Sequence, residues 1–392
     1  MPLRRLRFID PFQPAEIRRL VREFGSPLLI LDCERVRSQW RKLKQALPRV
    51  DLHYALKAMP HPAVVQTVIE EGGFLELAST GEVQLVKRLA VSPQRCIHTH
   101  PIKRAADIAN ALEFGVRVFV ADNADEVRKF TRLAGQVELL LRVSFRNPGA
   151  MVDLSRKFGC DPEDLLPLAR LAAELGLEVR GLSFHAGSQT PDARRHVEAL
   201  ESCARLTRMA RRERLGTFDM LDIGGGFPID YAQPVQDIGR FCAPLRAALA
   251  KLPNRVRVIA EPGRYIVGPA AIGVASVMGR ARREGHWWYY LDDGLYGCYS
   301  GQLFDHTRYP VEALRQAPER LPSVLAGPTC DSTDVVAENL MLPQLKAGDL
   351  LVGHAMGAYT WASATDFNFF PRATVVAVNR HPGDRVGVSA PL

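Results

Sequence analysis

"DLHYALKAMPHPAVVQTVIEEGGFLELAS", residues 51–79, contains the pattern that sets the fold. A β-prone apolar run ("DLHYALKA", 51–58) gives way to apolar residues at helical spacing ("PAVVQTVIEE", 62–71), then to a second β-prone run ("GFLELAS", 73–79). Strand, helix, strand with short joints is the βα unit of a parallel sheet. The alternation continues through further β-prone runs at 96–101, 116–122, 137–143, 179–187, 219–226 and 256–264, with helical stretches such as "AADIANALEF" and "HVEALESCARLTRMARR" between them. These make eight strands, the number that closes a (β/α)8 barrel. Beyond residue 265 the texture changes. "AIGVASVMGR", "HWWYYLDD", "SVLAGP", "DLLVGHAMGAYTWA" and "ATVVAVNR" read as strands of a mostly antiparallel sheet joined by Pro/Gly-bearing loops. The expected architecture is therefore α/β: a barrel over 27–265 and a β-rich domain built from 1–26 and 266–392. The run "PLLILD" (27–32) precedes the barrel and is placed to pair with that second sheet.

The 392 residues suit one large and one smaller domain, and 47% apolar with 24% charged residues is ordinary globular composition. Seven scattered cysteines without CxxC pairs or ligand spacing predict reduced thiols and a cytoplasmic protein. The basic opening has no apolar signal core, and no run approaches the roughly 18 apolar residues of a membrane span. A net charge of +8 raises the question of a nucleic-acid partner. The arginines are spread along helical stretches without interleaved aromatics, so a solvated basic surface is expected instead.

In a (β/α)8 barrel the chemistry gathers at the C-terminal ends of the strands. Those ends carry Lys57, Glu76, His98 with His100, Asp122, Arg142, His185, Gly224 to Gly226, and Glu261 with Arg264. Singly, each has a bland reading: Lys57 as a lysine snorkelling to water, a histidine or arginine as a satisfied core or loop residue, a glycine run as a tight turn. Together they point to one ligand. "GGGFP" (224–228) and "EPGR" (261–264) end strands seven and eight, where barrels commonly bind phosphate. Glycines let backbone N–H groups approach an anion, and Arg264 adds a bidentate charge. A phosphate site, a buried lysine of lowered pKa and a planar imidazole meet the needs of pyridoxal phosphate. On that reading Lys57 bonds to the cofactor aldehyde, His185 stacks on the ring, and Glu261 faces the ring nitrogen.

The chain resembles the fold-type III pyridoxal-phosphate decarboxylases, which act on ornithine, lysine, diaminopimelate or carboxynorspermidine and share an alanine-racemase-like barrel with a β-rich second domain. The likeness spans roughly residues 25–375 and rests on "YALKA", "SFHAGSQ", "DIGGGFP", "EPGR", "GPTCDSTD" and "GAYT", in that order. It implies cofactor contacts from Lys57, Glu76, Arg142, His185, Ser188, Gly225, Gly226, Glu261, Gly263, Arg264 and Tyr359. It also implies that Cys330 protonates the substrate α-carbon, and that Cys330 and Asp331 come from the partner in a homodimer. Where diaminopimelate enzymes carry an arginine for the second carboxylate, this chain has "SGQLFDH" with Asp305. Asp305 and Asp331, with Phe367 beside them, suit a substrate ending in a bare ammonium. L-Ornithine, giving putrescine, is the first expectation and L-lysine the second, because one methylene is worth only about 1–3 kcal/mol in an apolar pocket. Departures from the family pattern are Met59 for Asn, Glu76 for Asp, and "FNFF" (367–370) for FNGF. They bear on substrate choice. A non-catalytic cofactor carrier, an inactive regulatory homologue and a diaminopimelate-type enzyme are weaker readings. A metallohydrolase built on "HTH" (98–100) is weaker still, because the strand ends offer no ligand set and no metal is expected.

Overall fold

A computed structural model of the protein describes residues 12–380. It comprises two compact units. One takes in the described chain up to Val36, Ile229–Pro234 and the chain from Val267 onward; the other takes in Arg37–Pro228 and Val235–Ile266. The first strand, β1 (Leu28–Asp32), belongs to the former.

In the second unit, β2 (Val50–Ala55), β3 (Phe74–Leu77), β4 (Cys96–His98), β5 (Val118–Ala121), β6 (Glu138–Arg142), β7 (Glu178–Ser183), β8 (Met220–Asp222) and β9 (Arg257–Ala260) form a closed parallel barrel in chain order. β9 returns to β2 with Ile259 opposite Asp51. The barrel of the sequence reading is thus present. Ile97, Val120, Leu140, Met220 and Ile259, one from each of five strands, form a buried cluster, so apolar side chains fill the barrel. Each such burial stabilises by about 1.5–3 kcal/mol. The helices that follow the strands start where local chemistry dictates. Pro62–Glu70 opens with a proline whose missing N–H costs nothing there, and the His61 ring accepts from Ala63 N–H. Thr80–Arg88 is capped by Ser79 Oγ accepting from Glu82 N–H.

The strands stop short of the sequence runs, and the difference matters. Lys57 is not on the strand but in a one-turn 3-10 helix, Leu56–Ala58. His185, Gly224 to Gly226 and Glu261 likewise lie on the loops that follow β7, β8 and β9. His98 also departs from expectation. Ile97 pairs in register with Glu76 on the barrel's inner face, so its neighbour His98 turns outward. There it pairs with and stacks on Phe119, which packs on Phe130.

The β-rich unit contains β10 (Ala271–Arg283), β11 (His286–Leu291), β12 (Val311–Ala313), β13 (Leu321–Ala326), β14 (Val335–Leu342), β15 (Leu350–Gly353) and β16 (Thr374–Val378). The order is β12-β15-β10-β11-β13-β14, with β1 between β10 and β16. Pairings are antiparallel except β1 with β16 and β11 with β13. The division at 26/27 is therefore displaced to Val36/Arg37. β1 is buried along its length and bonded on both edges, Ile30 facing Ile272 and Val376, so it cannot be parted from this sheet. The helix Pro14–Phe24 adds Ile17 and Leu20 to the same core as Leu28, Val274, Val352 and Val376. Residues 1–11 and 381–392 of the expected second domain lie outside the described residues. The run "DLLVGHAMGAYTWA" gives only β15. After Gly353 the backbone takes left-handed φ at Ala355 and Tyr359, and a Cβ on Gly357 would lie 1.7 Å from the Val267 carbonyl oxygen.

Candidate active site

At the C-terminal end of the barrel, Lys57 Nζ lies 3.5 Å from Glu76 Oε2. The lysine was expected to be buried. Its side chain is 46% exposed because the 3-10 turn lifts it off the strand, whereas Glu76, on β3, is 2% exposed. Thr99 Oγ1 donates to the other carboxylate oxygen, Oε1, at 2.8 Å. Opposite, Glu261 is buried and its Oε1 has no hydrogen-bond partner among the described residues. Burial, then the charges of Asp222 and Glu76, raise the Glu261 pKa well above the usual carboxylate range. Arg142 ends β6 with its guanidinium 5.5 Å from the centre of the Phe158 ring.

The loops after β7, β8 and β9 build a cradle. The His185 Nδ1 accepts from Gly187 N–H at 3.0 Å, which fixes the ring plane and leaves Nε2 as the protonated nitrogen. Burial and then the Arg142 and Lys57 cations push its pKa well below that of free histidine, so the ring is neutral. The glycine loop runs against this ring. A Cβ on Gly225 would lie 2.6 Å from the Glu261 carbonyl oxygen and 3.2 Å from His185 Nε2; one on Gly226, at φ +92°, would lie 2.2 Å from the Gly187 carbonyl oxygen. His196 Nε2 donates to the Gly225 carbonyl at 2.9 Å and Glu261 N–H to the Gly224 carbonyl at 2.8 Å. Arg264 is 5% exposed and donates through Nε and Nη2 to Ser188 Oγ at 3.2 and 3.1 Å. Gly263, before it, accepts from Ile266 N–H and opens the turn Arg264–Val267.

Asp222, at the end of β8, went unrecognised in the sequence. It is fully buried, its Oδ1 accepts from Gly224 N–H at 2.9 Å and its Oδ2 from Ser183 Oγ at 2.8 Å. Burial pushes its pKa up to about 6. The usable signal was position: an acid two residues before a glycine run, at a strand end. Thr99 was missed too, because its role exists only through Glu76. Two strand-end residues have structural roles. Asp122 accepts from Gly159 N–H and Asn123 Nδ2, and His100 Nδ1 accepts from Ile102 N–H. Among the described residues no group of three or more His, Cys, Asp or Glu is placed to hold a metal.

The remaining candidates lie in the β-rich unit, three of them within one cluster. Cys330 is exposed, and its N–H donates to Asn368 Oδ1 at 2.9 Å. The Tyr296 hydroxyl donates to Asp331 Oδ2, Thr333 N–H donates to Oδ1, and both hold the Asp331 carboxyl below its usual pKa. Phe367 stacks on Tyr296 at 4.4 Å. Asp305 follows the short helix Gly301–Phe304. Tyr359 takes φ +55° and its carbonyl accepts from Ser363 Oγ.

Two features of the barrel fit pyridoxal phosphate: a glycine-walled cradle beside Arg264 and Ser188 for a phosphate, and an orphaned buried Glu261 Oε1 able to face a ring nitrogen. With a lysine at the mouth, they define a pyridoxal-phosphate enzyme of the (β/α)8 barrel class. The match to known proteins narrows this: residues 33–268 fit the pyridoxal binding domain of pyridoxal-dependent decarboxylases, and the chain belongs to that family. It is 34% identical over 368 residues to a lysine/ornithine decarboxylase of Selenomonas ruminantium, covering 94% of this chain and 93% of the relative. It is 32% identical to an ornithine decarboxylase of Caenorhabditis elegans, with 90% and 87% covered. A crystal structure of a Vibrio vulnificus lysine/ornithine decarboxylase complexed with putrescine superposes with a TM-score of 0.90 at 51% identity, covering 94% of this chain and 98% of the other.

Proposed function

We propose that this decarboxylase acts on basic L-amino acids, on L-ornithine to give putrescine first and on L-lysine to give cadaverine second. The observation that carries the assignment is the pairing of Lys57 with Glu76 in the same barrel mouth as Glu261, whose buried Oε1 has no partner among the described residues. The relatives' names support both substrates. Bound in the mouth, pyridoxal phosphate supplies the electron sink for the pair left behind as carbon dioxide departs.

The chain's own residues do the rest. Lys57 Nζ is the covalent anchor and Glu76 holds it in place. Gly225, Gly226, Gly263, Ser188 and Arg264 bind the phosphate, with Tyr359 assigned to the same group by resemblance. Neutral His185, its plane fixed by Gly187 N–H, offers a face for stacking. Glu261, whose surroundings favour the protonated carboxyl, shares its proton with the ring nitrogen, and Arg142 offsets the carboxyl charge around it. Cys330 Sγ delivers the proton to the substrate α-carbon. Asp305 and Asp331 receive the distal ammonium, with Phe367 lining its path. Cys330 and Asp331 act from a second copy of the chain, so the working form is a homodimer.

No helix among the described residues is long and apolar enough to cross a membrane. None of the seven cysteines forms a disulfide within the described residues, which supports a cytoplasmic location. The test is carbon dioxide release from L-ornithine, L-lysine, L-arginine and meso-diaminopimelate under steady-state conditions. The largest kcat/KM is expected for ornithine, then lysine. Preference for meso-diaminopimelate would overturn the assignment of Asp305.

A further inference from the structure

We propose that Thr99 is a positioning residue: its hydroxyl holds one oxygen of the Glu76 carboxylate so that the other faces Lys57, and residues 76 and 99 act as one unit. The proposal rests on Lys57 being the cofactor lysine. Glu76 and Ile97 are paired in register, and Thr99 N–H donates to the Leu77 carbonyl at 3.0 Å, so the β3–β4 ladder runs one residue past β4. Ile97 and Thr99, two residues apart, share a face, so Thr99 is the diagonal neighbour of Glu76 on the inner wall. Its Oγ1 donates to Oε1 at 2.8 Å while Oε2 stands 3.5 Å from Lys57 Nζ. Glu76 and Thr99 are both buried and Lys57 is not, so the carboxylate must be held from the wall side.

A glutamate has three rotatable bonds to place its carboxylate, and an untethered one spreads over several rotamers. Replacing the hydroxyl by a methyl leaves Oε1 buried without a donor, which both frees the side chain and disfavours its charged form. Either effect removes negative charge from beside Lys57. The other titratable groups whose fields reach Glu76 are Glu82 on the helix after β3, His98 and His100 at the end of β4, Arg142 on β6 and Glu261 after β9. None of them hydrogen-bonds the Glu76 carboxylate, whose side-chain partners among the described residues are Thr99 and Lys57.

The test is a pH titration of the visible absorbance of the Lys57–cofactor linkage in holoenzyme carrying Thr99→Val, Thr99→Ser, Glu76→Asp or Thr99→Val with Glu76→Asp. An anion beside the linkage nitrogen favours its protonated form, so Thr99→Val should lower the midpoint by about one pH unit, a tenfold loss of proton affinity. Thr99→Ser keeps the donor and should keep the wild-type midpoint. Glu76→Asp shortens the side chain out of the hydroxyl's reach, so adding Thr99→Val to it should shift the midpoint only by the smaller amount that the hydroxyl's effect on Glu261 carries. An unmoved midpoint in Thr99→Val, a Thr99→Ser that behaves like it, or a full further shift in the double variant would each overturn the proposal. Thr99→Ala takes the place of Thr99→Val should the latter not fold. Borohydride reduction of the wild type that leaves Lys57 unlabelled would count against the cofactor assignment itself; a labelled Lys57 with unmoved variants counts against Thr99 alone.

Discussion

Replacing Asp222 by alanine removes the carboxylate that accepts from Gly224 N–H and Ser183 Oγ, and the consequences follow from terms of opposite sign. Burial outweighs the two hydrogen bonds, so the pKa rises from 3.8 to about 6, a net penalty of about 3 kcal/mol on the ionised form at neutral pH. The alanine variant sheds that penalty but leaves Gly224 N–H and Ser183 Oγ buried without their acceptor, at about 1–3 kcal/mol each. The two terms nearly cancel in stability at pH 7, while the unpartnered Gly224 N–H should weaken pyridoxal phosphate binding at least about tenfold. The asparagine variant keeps an acceptor for Gly224 N–H and carries no charge, so it should match the wild type within about 1 kcal/mol at pH 7. The sign of the pH effect separates the two terms. Asp222 titrates higher in the folded chain than in the unfolded one, so the folded form binds the extra proton. That contribution is fully present below about pH 4 and is lost as pH rises through about 6. Wild type should thus lose on the order of 2 kcal/mol relative to Asp222→Asn between pH 4.5 and 7, read from urea unfolding midpoints. Parallel pH dependences in the two proteins, or an alanine variant with wild-type cofactor affinity, would refute this reasoning.

Gly226→Ala puts a Cβ 2.2 Å from the Gly187 carbonyl oxygen at a φ of +92°, and should weaken pyridoxal phosphate binding by more than about tenfold in a fluorescence titration. His98→Leu replaces a buried imidazole with neither nitrogen hydrogen-bonded among the described residues and a pKa pushed down to about 4. The wild-type protein loses stability as pH falls from about 6.5 toward 4 because only the unfolded chain takes up that proton. The leucine variant should therefore be more stable at pH 5 by about 1–2 kcal/mol, and identical acid limbs in the two unfolding series would contradict this. Asp331→Ala should raise the KM for L-ornithine about tenfold or more, since it deletes the carboxylate that Tyr296 and Thr333 orient. Unchanged kinetics would remove Asp331 from the substrate site.

The barrel was legible because each strand is a short apolar run flanked by turn residues and an amphipathic helix, and burial on both faces leaves few other ways to write it. What periodicity could not give was where each strand stops. "YALKA" and "SFHAG" continue the apolar texture past Ala55 and Ser183, yet the chain has already turned at Lys57 and His185, and that turn is what exposes the lysine. β14 escaped notice because "VVAENLML" alternates imperfectly, two consecutive exposed residues interrupting it across a register shift against β13. β1 was visible as a strand, but its partners, β10 and β16, come more than two hundred residues later, a distance no local pattern encodes. The motif residues of the barrel mouth were readable as types. Asp222 and Thr99 were not, since each acts by holding another residue through a contact made only in the folded chain.

The most direct test of the central claim is reduction of the purified holoenzyme with borohydride followed by peptide mapping. Loss of visible absorbance and a pyridoxyl group on the peptide containing Lys57 are expected, with no such label in Lys57→Ala. A label on any other lysine, or a wild-type protein that takes up pyridoxal phosphate without one, would contradict it.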